Sequence, residues 1–189
     1  MRNSLIAALA ALALTPLAAC NEKSADTAEA GSGEVKSGTL AGEIADAPGM
    51  STVAGALKGT GLAGIFDGSA PYTLLAPDDD AFGALGETGT MLKAPENGAA
   101  MAEVLKAHIL PGYVTVADID KAIKAKQGQP VKMTTMDGAE ITFARNGEDL
   151  TVTAADGSSA KVDGAQLAAS NGVAIPVDAV LKQVPKSGG

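Results

Sequence analysis

The sequence predicts an α+β domain, mostly helical in its first half and built of antiparallel strands in its second. Three observations carry this. From Leu40 to Lys126, apolar residues recur at the i, i+3, i+4 spacing of helices with one buried face. From Val131 onward the period falls to two, and Asp137-Gly138, Asn146-Gly147 and Asp156-Gly157 interrupt it where hairpins need turns. Among the helices, Tyr72 to Ala76 is an unbroken apolar run between Pro71 and Pro77, the mark of a buried strand.

Taken in order, the chain opens on Arg2 and a run of Leu, Ile and Ala from Leu5 to Leu14, then Thr15-Pro16 and small residues before Cys20. Residues 1–19 therefore read as a secretory signal. The run falls short of the roughly 20 apolar residues that a spanning helix needs. Leu17-Ala18-Ala19-Cys20 resembles the bacterial lipobox, which implies lipid attachment at the Cys20 thiol. Asn21, where Asp would signal inner-membrane retention, then implies the outer membrane. Cys20 is the only cysteine, so no disulfide is possible. The stretch after it, small, charged and rich in Gly and Ser, lacks the apolar surface to fold, so residues 20–38 read as lipidated Cys and flexible tether. Residues 39–185 form a single domain, long enough to bury roughly 70% of its surface on folding without a metal, and 186–189 a disordered tail. The chain's net charge of −8 argues against nucleic-acid partners and anionic lipid surfaces.

Within the domain, Thr39 opens a helix with Leu40 and Ile44 inward, ended by Pro48-Gly49. Ser51 reads as the cap of a second, carrying Val53, Ala54 and Leu57, and Leu62, Ile65 and Phe66 form a short third. After the strand at Tyr72, Asp78 caps a helix whose first turn holds Asp79 and Asp80, negative charge at the positive end of the dipole. Pro95-Glu96-Asn97 leads into another, with Met101, Val104, Leu105 and His108 on one face. Thr115 and Asp118 form a capping box for a helix that turns Ile119 and Ile123 inward and Lys121, Lys124 and Lys126 outward. The meander follows, then short strands at 160–162, 166–169 and 173–182.

Three of these segments, PYTLLAPDDDAFGAL, PENGAAMAEVLKAHILPGYVTVADI and DGAQLAASNGVAIPVDAVLKQVP, resemble the successive motifs of the fasciclin domain. The resemblance implies a β-wedge of two sheets with helices packed at one side. It also implies a mainly non-enzymatic adhesion or matrix-binding module, here a monomer held to the membrane by its lipid and recognising a protein or polysaccharide of the envelope. Two positions depart from the family. Ala107 replaces the Tyr that commonly precedes His108, a pair implicated in cell-surface recognition by animal members. Pro176 stands where an amide hydrogen is usual, so an exposed edge or bulge is expected there. Asp78, Asp79 and Asp80, with Pro176, form the candidate binding surface.

No enzymatic constellation emerges. His108, the only histidine, shares a face with Met101, Val104 and Leu105, so a core role outweighs that of a general base. There is no Gly-x-Ser-x-Gly elbow. Met133 and Met136 fall on opposite faces of a strand, and Asp78 to Asp80 lack the spacing of a calcium loop. Gly59-Thr60-Gly61-Leu62-Ala63-Gly64 matches the letters of the dinucleotide fingerprint, but a helix precedes it where a strand is required, so no cofactor is implied. The competing class is an enzyme or carrier for a small envelope molecule, which a deep apolar pocket with converging polar groups would favour.

Overall fold

The computed structural model describes residues 35–182. The signal, Cys20, the tether as far as residue 34 and the tail at 186–189 lie outside these residues. The elements run β1 Val35–Lys36, α1 Leu40–Asp46, α2 Ser51–Gly59, β2 Tyr72–Pro77, α3 Asp79–Ala84, α4 Glu87–Leu92, α5 Gly98–Lys106, β3 Ile109–Pro111 and α6 Val116–Ala125. Then come β4 Val131–Thr134, β5 Glu140–Asn146, β6 Asp149–Ala154, β7 Ser159–Lys161, β8 Leu167–Ala169 and β9 Gly172–Val177. Short 3-10 turns occupy Leu62–Ile65 and Pro95–Asn97.

A five-stranded sheet in the order β1-β8-β9-β2-β3 forms the middle layer. Alternation along its strands sends successive side chains to opposite faces. Leu74, Ala76, Ile109 and Ala174 join Leu40 and Ile44 of α1, Val53 and Leu57 of α2, Phe82 of α3 and Val104 of α5 in one core. Leu75, Leu110, Val173, Ile175 and Val177 join a second core with Phe143, Leu150 and Val152 of the β4-β5-β6-β7 meander. Helices thus cover one face and the second sheet the other, as a two-sheet α+β wedge requires. α6 is the exception among the helices, since Ile119 and Ile123 face the meander side.

Local chemistry explains most boundaries. Asp78 accepts from the Ala81 amide at 2.6 Å and caps α3. The Thr115–Asp118 capping box opens α6. Three boundaries differ from the sequence reading. Val35–Lys36, assigned to the tether, pairs in parallel with Ala168–Ala169, and Gly38 O accepts from the Ser170 amide and hydroxyl. The last strand stops at Val177 instead of Lys182, because Asp178 turns aside to accept the Lys161 amide at 2.7 Å. α4 has no counterpart in the reading. Its six residues include Gly89 and two Thr, poor helix formers, and tertiary packing holds it so close to α3 that a Cβ on Gly89 would lie 2.2 Å from Phe82 O.

Candidate functional site

His108 lies just past the Ala107 C-cap of α5 and is fully buried. Its Nδ1 donates to Val104 O at 2.7 Å, which leaves Nε2 as the acceptor of the Leu181 amide at 2.8 Å. Its own carbonyl accepts from the Leu75 amide at 2.8 Å. The residue therefore ties α5, the central strand β2 and the segment after β9 together. Burial pushes its pKa down to about 4, against smaller opposing effects of the Val104 bond and Asp137. A neutral imidazole with both nitrogens occupied and no water access has nothing to offer a substrate. Ala107, in the place of the family's Tyr, is buried beside it.

The acidic trio is not the open rim expected. Asp78 is committed to its cap. Asp79 reaches across to α2 and accepts from the Ser51 amide at 3.3 Å, the Ser51 hydroxyl at 2.8 Å and the Thr52 amide at 2.7 Å. Burial raises the Asp79 pKa, but the bonds from Thr52 and Ser51 outweigh it and hold the carboxyl below its ordinary range. Ser51 is consequently the first residue of α2 and a donor, while the helix is capped in trans by Asp79. Only Asp80 of the three is exposed.

Pro176 is also corrected. It is buried inside β9, paired with Ala76 of β2, and it is not on an exposed edge. A proline is tolerated there because the pairing with β8 ends at Ala174, so its missing donor faces the side from which β8 has gone. On that side the Pro176 carbonyl accepts the Asp163 amide at 3.0 Å.

One concavity was not anticipated. A cleft of 410 Å³ opens between α2 and the corner of α4 and α5. Gly55, Ala56 and Gly59 form one wall, Lys93 and Ala94 the other, and Leu92 and Met101 lie in the lining at 4% and 3% exposure. The sequence signal, Gly55 and Gly59 four positions apart on one helix face, went unused in the sequence reading. Gly59 and Gly61 behave as expected of a break between α2 and the 3-10 turn, Gly61 adopting φ 75°. Met133 and Met136 pack into different cores. Among the described residues no group of three or more His, Cys, Asp or Glu is placed to hold a metal ion.

A helical layer, a two-faced central sheet and a meander, tied together by a buried histidine, define the scaffold. A sequence model of the Fasciclin domain matches residues 48–183, and the chain belongs to the fasciclin family. It is 32% identical over 134 residues to protein sll1483 of Synechocystis sp., covering 70% of this chain and 66% of that relative. It is 28% identical over 97 residues to the uncharacterized protein sll1735 of the same organism, covering 50% of this chain and 72% of that one. Among solved structures, the FAS1 domain pair from the insect cell adhesion molecule Fasciclin I superposes with a TM-score of 0.66 at 16% identity, over 77% of this chain and 51% of that one. That likeness is one of fold.

Proposed function

We propose that this protein is a non-enzymatic binding module of the cell envelope, carried on a lipid at Cys20 and recognising an envelope or matrix protein or glycan. The observation that carries the non-enzymatic reading is His108. The one side chain that could titrate as a base near neutral pH is sealed in the core with both nitrogens bonded. Membership of a family typified by adhesion and binding modules supports the binding role. The Leu17-Ala18-Ala19-Cys20 sequence supports the anchor, and two or more acyl chains would make it stable where a single chain gives only marginal binding.

Growth with labelled palmitate tests the anchor. Label is expected on the native chain and is lost in Cys20→Ala; label retained by Cys20→Ala removes the anchor from the proposal. Capture of an envelope protein or polysaccharide by the purified chain, unchanged by Asp80→Asn, tests the binding role. Turnover of an envelope metabolite by the same preparation defeats it.

A further inference from the structure

We propose that the cleft between α2 and the α4–α5 corner binds a single-chain anionic amphiphile, its apolar body on Leu92 and Met101 and its head group against Lys93. This goes beyond the envelope-module reading and does not depend on the anchor. The volume, 410 Å³, lies within the range of roughly 300 to 1,000 Å³ typical of small-molecule sites. Its lining is mostly apolar or small, with Leu92 and Met101 as the large apolar side chains.

Charge selects the ligand. In a chain of net charge −8, the cleft is lined by a lysine and by no Asp or Glu. The carboxylate bonded to this lining, Asp79, has both oxygens occupied by Ser51 and Thr52. Lys93 makes no ion pair among the described residues, although Lys106, Lys121, Lys132, Lys161 and Lys182 all do. An anion entering the cleft therefore meets a lysine with no ion-pair partner among the described residues and no carboxylate in the lining itself, the Asp79 charge lying behind Ser51 and Thr52 and engaged by their hydrogen bonds.

The shape is maintained at a cost. A Cβ built on Gly55, Gly59 or Gly98 meets nothing within 4 Å, and none of the three has a positive φ. Neither space nor backbone conformation calls for glycine at these places, and at Gly55, inside α2, glycine is unfavourable. What their missing side chains leave is the opening of the cleft.

Calorimetric titration of sodium dodecanoate, below its micellar concentration, into the full chain with Cys20→Ser tests the proposal; the substitution keeps any acyl group of the chain's own out of the cleft. Saturable one-site binding is expected, with dodecyltrimethylammonium, the same tail under a cationic head, at least about tenfold weaker. Lys93→Gln should weaken dodecanoate by about fivefold, as for an exposed charge pair, and leave neutral dodecanol unchanged. Gly55→Leu should abolish binding of all three without lowering the unfolding midpoint. If Gly55→Leu fails to fold, Gly59→Leu repeats the test. No saturable binding, equal affinity for the two charged heads, or undiminished binding by the leucine variant each overturns it. So does a concentration-dependent dimer that either leucine variant dissociates, since a second copy would then be the occupant.

Discussion

The two sheets are built by opposite routes. In the meander each strand pairs with its sequence neighbour, from β4 with β5 through β6 with β7, across turns of a few residues. In the central sheet β2 pairs in parallel with β9, so Tyr72 lies beside Gly172 and Pro77 beside Val177. In the meander, buried Ile141 and Phe143 of β5 and Leu150 and Val152 of β6 alternate with less buried neighbours, whereas β9 is buried at every position. A sheet with one covered face advertises itself by period two. A sheet covered on both faces loses that signature, and its register depends on distant partners.

A pair of glycines breaks the comparison most sharply. Gly172 sits where β9 crosses α1, and a Cβ there would lie 2.5 Å from Tyr72 O and 2.9 Å from Leu40 Cδ2. Gly172→Val is expected to cost about 3 kcal/mol or more by forcing the central pairing apart. Gly147, in the β5–β6 turn, has open space and a φ of 66°, so Gly147→Ala should cost only about 1 to 2 kcal/mol of backbone strain. Urea unfolding of the two variants measures both. Equal losses would mean that the two sheets tolerate damage alike.

Acid should act next, through the joint at His108. Above pH 6.5 the imidazole is neutral folded and unfolded. Between 6.5 and about 4 the unfolded chain takes up a proton that the folded chain cannot, so stability falls with pH, by about 3 kcal/mol over the window. Asp79, Asp118 and Asp137, whose carboxyls are held below their ordinary pKa in the folded state, add losses that begin at the acid end of the histidine window and grow below it. His108→Gln is expected to be less stable at pH 7 yet nearly flat from pH 6.5 to 4.5. Parallel slopes for the two proteins would remove the joint from the account.

Smaller effects belong to the helical layer. Asp79→Ala strips the N-terminus of α2 of its acceptor and should cost about 1 kcal/mol, with the midpoint of thermal unfolding as readout. Gly55→Ala should do the reverse and stabilise by about 0.5 to 1 kcal/mol, because the added methyl touches nothing.

The same contrast explains what could be read from the chain alone. The capping box at Thr115, the Asp78 cap and the meander turns are local, each decided within a few residues, and the structure reproduces them. The Asp79 cap on α2 joins residues 27 and 28 positions apart, so no local pattern carries it and the carboxylate reads as exposed. Pro176 misled for the same reason. The rule that proline avoids central strands holds, but the relevant edge is a local end of the β8 pairing, visible only once the sheet is assembled. The cleft was illegible because what forms it is absent side chains.

The position of β9 also has a kinetic side. The strand that completes the central pairing is the last of the described elements, a hundred positions after its partner at Tyr72. Until residue 177 is available, neither core has its middle layer, and loop closure over that separation is slow compared with hairpin or helix formation. Helices and meander can flicker into place as the chain lengthens, but they have nothing to close upon. A polypeptide of this design therefore stays open along its length until its final strand is made, and closes both cores in one late step.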